Sequence, residues 1–297
     1  MPFGLSGGTR YRTVENLVIR AIFNADDFGR SHQENIAIRR AMSQGIVRST
    51  TVMANLPAAE EIGQVVNQVC NISVGVHLNL TEGRPLLEPG LIPTLVSRDG
   101  TFHSKKRLAC MSCLGLIRRQ EITAELLAQI RRVRAWVGSI THVDSHQNVI
   151  PLPVVLPALI DILATEGIQR FRTESEYAFP KTGMGAAADA YTGAALRNLL
   201  RAGWSGLKEL RAKSIQGRGY RSADLLLLGA PGYGKQLLSV EQVLSDWEQA
   251  LPSLPNALFE VPLHPGFSPT EEQTFADPRM KHLLERFGVQ VLSYADV

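Results

Sequence analysis

The chain has 297 residues, of which 44% are hydrophobic and 20% are charged. This is ordinary globular composition in a chain long enough to bury its own core, so neither a disulfide nor a metal is needed merely to fold it. The formal net charge of +3 is too small to indicate a nucleic-acid-binding protein. Basic residues cluster at 105–134 and 197–221, which we interpret as solvated helix faces, with a basic rim for an anionic substrate as the alternative.

The cysteine count and the terminal segment bear on the compartment. Cys70, Cys110 and Cys113 make an odd number, which argues against a disulfide framework. Cys110 and Cys113 have C-x-x-C spacing, but no second pair completes a structural zinc site. Residues 1–16 lack the apolar run of a signal peptide, and no segment approaches ~18 uninterrupted apolar residues. We therefore expect a cytoplasmic protein with no membrane partner.

Short β-branched segments alternate with helical patterns along the chain. Strands are predicted, in chain order, at 18–23, 50–54, 72–78, 139–143, 167–172, 223–228, 257–261 and 289–292. Helices are predicted at 31–42, 58–69, 121–137, 156–166, 240–250 and 271–287, and a long loop at 81–106. Ser31 with Glu34, and Ser239 with Gln242, have the spacing of capping boxes at two helix starts.

This alternation predicts a parallel sheet built from βαβ units, and seven or eight units without a domain break favour a barrel over an open sheet. We therefore predict one α/β domain over residues 1–297, a variant TIM-like (β/α) barrel of seven to eight units. Residues 175–219 break the rhythm, and we predict an inserted helical segment there that acts as a lid or a dimer contact. A homodimer is compatible with this prediction.

Polar side chains suited to metal binding or catalysis lie at the carboxyl ends of the predicted strands, in this order: Asp26, Asp27, His77, Asp144, His146, Arg172 and His264. In a parallel barrel these ends share one face, where active sites form. Two adjacent carboxylates are costly together unless a cation lies nearby, so Asp26 and Asp27 are expected to divide into a metal ligand and a base. The sequence therefore predicts a catalytic site on that face.

The segment 142–146 carries the strongest single signal. His142, Asp144 and His146 alternate, which places their side chains on one side of an extended strand. An Asp-x-His arrangement also lets Asp144 orient the imidazole of His146. One Asp with two His is a familiar facial set for a divalent ion with open positions.

Structural alternatives stay open for residues taken singly. Asp26 and Asp27 could form a helix-capping turn before Ser31, His77 could be a buried core histidine, and His264 could be a turn residue between prolines. Their convergence on one face favours the functional interpretation.

Residues 229–235, Gly-Ala-Pro-Gly-Tyr-Gly-Lys, match the first seven positions of a nucleotide-binding P-loop. The next residue is Gln236, where Ser or Thr should hold magnesium, and Pro231 removes one backbone N–H from the phosphate cradle. We therefore do not expect nucleotide binding.

Four motifs in chain order resemble those of the YdjC-like carbohydrate deacetylase family of the ChbG/HpnK type. They are Asn-Ala-Asp-Asp-Phe-Gly at 24–29, Gly-Val-His-Leu-Asn-Leu-Thr at 75–81, Thr-His-Val-Asp-Ser-His at 141–146 and Glu-Val-Pro-Leu-His-Pro-Gly at 260–266. The resemblance implies a TIM-like barrel that hydrolyses the acetamide of N-acetylglucosamine units with one divalent metal ion, Mg²⁺, Zn²⁺ or Co²⁺.

Carried over position by position, the resemblance implies three metal ligands, Asp27, His77 and His146. Asp26 matches the general base and His264 the general acid, while Arg172 matches an arginine near the family site. The implied partner is an N-acetylated sugar.

The chain departs from the family pattern after the third motif. The family carries Asp-Ser-His-Gln-His-Val-His, whereas this chain has Asn148 and Ile150 in place of the later histidines. The ligand His146 is retained, so metal binding is still expected, but the identity of the sugar is left open. The competing interpretations are another metal-assisted amidohydrolase or phosphoesterase on the same barrel face, and a catalytically silent sugar-binding relative.

Overall fold

The structure, a computed structural model, describes residues 18–43, 46–173, 175–180, 219–231 and 238–297. The strands in these ranges are β1 (Arg20–Phe28), β2 (Ser49–Val52), β3 (Ser73–Leu78), β4 (Val143–Ser145), β5 (Glu176–Ala178), β6 (Leu225–Leu228), β7 (Leu258–Leu263) and β8 (Gln290–Leu292). The helices are α1 (His32–Ser43), α2 (Ile62–Gln68), α3 (Lys105–Cys113), α4 (Arg119–Val137), α5 (Val155–Glu166), α6 (Val240–Ala250), α7 (Pro269–Ala276) and α8 (Pro278–Arg286).

All the paired strands run parallel, in the order β4-β3-β2-β1-β7-β6-β5, and β8 pairs with the start of β1. Isolated parallel bridges join Phe171 to Val143 in β4 and Arg170 to Arg221, shortly before β6. The segment that leads into β5 therefore bridges β4, at one end of the sheet, and the segment before β6, near the other end, so the sheet curls as a barrel does. The predicted α/β fold with a TIM-like parallel barrel is confirmed.

Alternate residues of β1 pack into two different layers. Ala21, Phe23 and Ala25 belong to the main core between the sheet and the helices, where the Phe23 ring lies 5.6 Å from that of Phe275. Ile22 points the other way, into a small apolar cluster with Tyr294 and its neighbours. Side chains alternate along a strand with a period of two, so the next alternate positions of β1 after Ile22 also point inward. The residues at these positions are polar, and they lead towards the carboxyl end of the barrel.

Most predicted elements occur close to their predicted positions, but the fourth strand, the fifth strand and the long loop differ. The fourth strand begins at Val143, where the prediction ended, and the predicted fifth strand over 167–172 makes only isolated bridges. The loop predicted to run to residue 106 ends earlier, because α3 begins at Lys105.

The last predicted helix, over 271–287, is wrong as a single element. It consists of α7 and α8, separated by Asp277 in extended conformation with φ −78° and ψ 127°. Pro278 has no N–H to continue α7 and disfavours helical backbone at Asp277. The Asp277 side chain instead accepts a hydrogen bond from the N–H of Arg279 and caps α8.

The remaining expectations have mixed outcomes. Residues 181–218 of the predicted insertion, and residues 232–235 of the segment like a P-loop together with Gln236, lie outside the described residues. Cys70, Cys110 and Cys113 are free thiols. Across the described ranges, no helix combines the length and the apolar character needed to cross a bilayer.

Candidate metal centre

Asp26 and Asp27 lie at the end of β1, inside the strand rather than after it. The pairing of β1 with β2 shifts register between Ala25 and Phe28, and Asp27 has a positive φ of 64°. In a regular strand, neighbouring side chains point to opposite faces, whereas a bulge redirects one of them. This irregularity allows both carboxylates to line the same cavity.

Asp27, His77 and His146 converge at that cavity. Asp27 Oδ1 lies 3.2 Å from His77 Nε2 and 2.9 Å from His146 Nδ1. All three side chains are buried, and their candidate ligand atoms lie within 4.8 Å of one another. Ligand bonds of about 2 Å place donors on one ion roughly 3 Å apart, so this donor set fits a single divalent cation.

The charge state of Asp27 fits the same interpretation. Burial opposes ionisation, but hydrogen bonds from His146 and His77 outweigh it and lower the pKa of Asp27. A buried carboxylate held ionised between two imidazoles is an anionic ligand ready for a cation.

Each of the two histidines contacts a second carboxylate through its other ring nitrogen. His77 Nδ1 lies 2.7 Å from Asp144 Oδ1, while His146 Nε2 lies 3.0 Å from Glu82 Oε2. The prediction that Asp144 orients His146 is therefore wrong. Asp144 is the direct register partner of His77 across β3 and β4, whereas His146 has left the strand.

Glu82 was missed by sequence reasoning. Its only signal in the sequence is its place directly after the motif over 75–81. The pairing depends on the fold of that loop and not on spacing in the sequence.

Arg172 organises the carboxylates below the metal ligands. Its Nη1 and Nη2 donate hydrogen bonds to the two oxygens of Asp26 at 2.7 and 2.6 Å, and its Nε donates to Glu260 Oε1 at 2.7 Å. Nη2 also lies 2.7 Å from Asp144 Oδ2. One buried guanidinium thus compensates three buried carboxylates.

Asp26 is therefore kept ionised. Burial alone would raise its pKa, but the charge of Arg172 and its hydrogen bonds outweigh burial and lower the pKa of Asp26 to about 2. The same guanidinium lies between Asp26 and Asp144. These two residues form a second group of potential ligands with His77, but that group already has its cation in Arg172.

His264 lies close to Asp26, directly after the end of β7. Its Nε2 lies 3.8 Å from Asp26 Oδ2, and burial lowers the pKa of the imidazole, with Asp26 opposing the shift in part. Its backbone N–H donates to Glu271 Oε2 at 2.6 Å. A Cβ on Gly266 would lie 2.3 Å from Glu34 Cγ, so only glycine allows this turn to pack against α1.

A polar layer continues beneath Arg172. The Tyr294 hydroxyl donates a hydrogen bond to Glu260 Oε2, and the Tyr294 ring stacks on that of His142 with centroids 3.7 Å apart. Burial raises the pKa of Glu260 to about 7. His142 Nε2 and Asp144 Oδ2 both contact the Asn24 side chain, which confirms that these two residues share a side of the strand.

The cavity above this layer has a volume of about 460 Å³. Its lining combines the ionisable groups described above with an apolar set made of 226–228, Ala230, Pro262 and Phe267. Gln147 and Asn148 lie on the rim with positive φ values of 56° and 52°. Consecutive non-glycine residues in this region are strained, which is common at ligand sites.

Comparisons with known proteins show which family the chain resembles. A profile of the YdjC-like protein family matches residues 20–287. A carbohydrate deacetylase from Geobacillus stearothermophilus is 39% identical over 138 residues, 46% of this chain and 53% of that protein. A chitooligosaccharide deacetylase from Escherichia fergusonii is 36% identical over 149 residues, 50% of this chain and 56% of that protein. The chain thus spans about half the length of the curated relatives that it matches.

A solved structure extends the comparison to the fold. The crystal structure of a suggested cellobiose-phosphate cleavage protein from Enterococcus faecalis V583 matches with a TM-score of 0.69 at 21% identity, covering 94% of this chain and 98% of that one. This likeness shows a shared fold. The family profile covers most of the sequence, so the resemblance noted from the four motifs is confirmed and the chain belongs to the YdjC-like protein family.

Proposed function

We propose that this protein is a metal-dependent hydrolase that removes the N-acetyl group from an amino sugar or a short N-acetylglucosamine oligosaccharide and releases acetate. One observation carries the proposal: Asp27, His77 and His146 converge as a metal-ligand set, with Asp26 and His264 beside them in one cavity. The names of the matched relatives, carbohydrate deacetylase and chitooligosaccharide deacetylase, support the choice of substrate.

Asp27, His77 and His146 would hold one divalent ion. When bound, such an ion supplies Lewis-acid chemistry, which activates water and polarises the acetyl carbonyl. Two imidazole ligands suit Zn²⁺ and Co²⁺ better than Mg²⁺, which prefers oxygen donors. We therefore propose that the bound ion is Zn²⁺ or Co²⁺ in preference to Mg²⁺.

Asp26 is the base in this mechanism. It stays ionised because Arg172 donates to both of its oxygens, and it accepts a proton as the oxygen of a water molecule forms its bond to the acetyl carbon. Arg172 keeps the carboxylate in place and is a positioning residue.

His264 is the acid. The C–N bond of the amide breaks only if the leaving nitrogen takes a proton, which the imidazole donates. Its Nε2 lies 3.8 Å from Asp26, so the proton removed from water can return to the amine through these two groups. The step balances, because water and the acetamide give acetate and a free amine.

The cavity has the size and the mixed lining of a carbohydrate site. Its apolar lining residues can pack against the C–H face of a sugar ring, while Gln147 and Asn148 offer amide groups to the sugar hydroxyls. Asn148 stands where the family has histidine, so we place the specificity difference of this chain at this rim.

A phosphoesterase on the same face is the competing function. Enzymes of that class commonly use two ions roughly 4 Å apart. Here the second group of potential ligands surrounds the guanidinium of Arg172 and not an empty space. This contact favours the single-ion deacetylase.

Acetate release tests the proposal directly. The purified chain, loaded with Zn²⁺ or Co²⁺, is incubated with N-acetylglucosamine, its dimer and its trimer, and with a panel of phosphate monoesters. We expect acetate from at least one sugar, loss of release with a chelator, and recovery when the ion returns. Phosphate release without acetate release would replace the deacetylase with the phosphoesterase.

A further inference from the structure

Glu271 carries a buried carboxyl group that the proposed mechanism does not use. It lies in the first turn of α7 with 1% of its surface exposed, and its Oε2 accepts a hydrogen bond from the backbone N–H of His264 at 2.6 Å. The negative charge of Asp26 is also close enough to oppose the ionisation of Glu271. Glu271 therefore contacts the proposed acid and lies within electrostatic reach of the proposed base.

The spacing of Ser268 and Glu271 suggests a different role, that of a capping box. In a capping box, the carboxylate of the third helical residue accepts a hydrogen bond from the backbone N–H of the residue that caps the helix. The Ser268 side chain does accept from the N–H of Glu271 at 3.3 Å, as capping requires. The Ser268 N–H, however, donates to the carbonyl oxygen of His264 at 3.2 Å, and the Glu271 carboxyl accepts from the N–H of His264. The carboxyl thus holds a residue that lies outside the helix.

The backbone of His264 is fixed at both of its polar groups. Its N–H donates to Glu271, and its carbonyl oxygen accepts from the N–H groups of Phe267 and Ser268 at 2.9 and 3.2 Å. A proton donor must lie within about 3 Å of the atom that it protonates, so the position of its backbone limits what it can reach. The contacts of this turn therefore decide where the imidazole of His264 can lie.

We propose that Glu271 is a positioning residue of the acid, which fixes the backbone of His264 and so places the imidazole at the leaving nitrogen of the substrate. The inference rests on the proposed function and deepens it, because it names the contact on which the acid depends. Burial raises the pKa of Glu271 to about 8, so the carboxyl keeps its proton at neutral pH and resembles the amide of glutamine. Glutamine should therefore keep this contact.

A comparison of amide and ester hydrolysis by the full chain tests the inference. The variants are Glu271→Met, which keeps the size of the side chain but offers no acceptor oxygen, and Glu271→Gln, which keeps both. Glu272→Met is the matched control, because Glu272 is the next residue of the same helix and pairs with Arg40, which is 60% exposed. Each protein is assayed at neutral pH on an N-acetyl sugar and on an aryl acetate ester, since only the amine needs a proton as it leaves.

The position of the imidazole is measured separately and without substrate. The ring signals of the histidines are recorded by NMR in each variant, and the His264→Ala variant identifies those of His264. Chemical shifts of a ring report its surroundings, so they respond to a displaced imidazole whether or not the chain is active.

We expect Glu271→Met to lower the ratio of amide to ester turnover about 10–100-fold, because a misplacement of about 1 Å can cost a factor of about 100. Glu271→Gln and Glu272→Met should keep the ratio of the unmodified chain. The ring signals of His264 should shift in Glu271→Met and stay in place in Glu272→Met. A general loss of folded protein would lower both rates together and leave their ratio unchanged.

An unchanged ratio in Glu271→Met would overturn the inference, and so would unchanged ring signals of His264. An equal fall of the ratio in Glu271→Gln would also overturn it, because glutamine retains the acceptor oxygen. If the unmodified chain releases no acetate from any sugar, the proposed function fails, and the NMR comparison still decides whether Glu271 fixes His264. The two proposals can therefore fail separately.

Discussion

Arg172 donates a hydrogen bond to each oxygen of Asp26, at 2.7 and 2.6 Å, across 146 residues of sequence. The same guanidinium contacts Asp144 and Glu260, so three buried carboxylates share one buried cation. The attraction of these carboxylates also outweighs burial and raises the pKa of Arg172 well above its usual value. Arg172 is therefore essential both to the stability of the barrel interior and to the charge state of Asp26.

Arg172→Met should lower the free energy of unfolding by about 3–5 kcal/mol, because it leaves buried carboxylates without their cation. Urea denaturation measures the change. Arg131→Met is the matched control: Arg131 is 62% exposed and pairs with Glu166, so its loss should cost less than about 1 kcal/mol. Similar costs for both variants would mean that the interior carboxylates do not depend on Arg172.

Asp26→Asn should leave the content of bound ion nearly unchanged while it lowers acetate release about 10²–10⁴-fold, the usual contribution of a positioned base. Asparagine keeps an oxygen for Arg172 but cannot accept the proton from water. Ion content is measured on the dialysed protein beside the rate. Asp27→Asn is the control and should lose the ion as well, and equal loss of ion in both variants would show that the two roles are exchanged.

His264→Ala should abolish most turnover of an N-acetyl sugar but reduce hydrolysis of an aryl acetate ester much less. The amine must be protonated as it leaves, whereas a phenolate leaves without a proton. Rates on both substrates and the ion content of the variant separate the cases. Parallel losses on both substrates would rule out His264 as the acid. Loss of the ion would then indicate that His264 is a metal ligand, and retention of the ion would indicate a structural role.

Glu271→Gln should stabilise the protein in alkaline but not in acid solution. Burial, opposed by the hydrogen bond from the backbone of His264, raises the pKa of Glu271 from 4.5 to about 8. Between pH 4.5 and about 8, Glu271 keeps its proton in the folded protein but has lost it in the unfolded chain. Its contribution to stability is therefore complete below pH 4.5 and is lost as the pH rises to about 8.

Glutamine is neutral throughout and retains the oxygen that accepts from His264. At about 1.36 kcal/mol for each pKa unit, the pKa shift limits the stabilisation by Glu271→Gln to about 5 kcal/mol. We expect the variant to gain about 2 kcal/mol in unfolding free energy at pH 8. Urea denaturation of both proteins at pH 4.5 and pH 8 measures it. A difference in unfolding free energy that is the same at both pH values would contradict the assignment of this titration to Glu271.

The sequence by itself determined the fold class, the approximate positions of most strands and the residues that converge. Strand periodicity is local, and the carboxyl ends of parallel strands meet on one face whatever their exact order. Asp26, Asp27, His77, His146 and His264 could therefore be assigned to one site before their distances were known.

Only the tertiary structure decided which of these groups touch. Asp144 contacts His77 because β3 and β4 are neighbours in a register that places these two residues side by side. His146 lies beyond the end of β4 and cannot take this position. Glu82 reaches His146 because Asn79 shapes its turn. Such contacts depend on strand order, register and loop conformation, and these are fixed by the packing of the whole chain and not by spacing along the sequence.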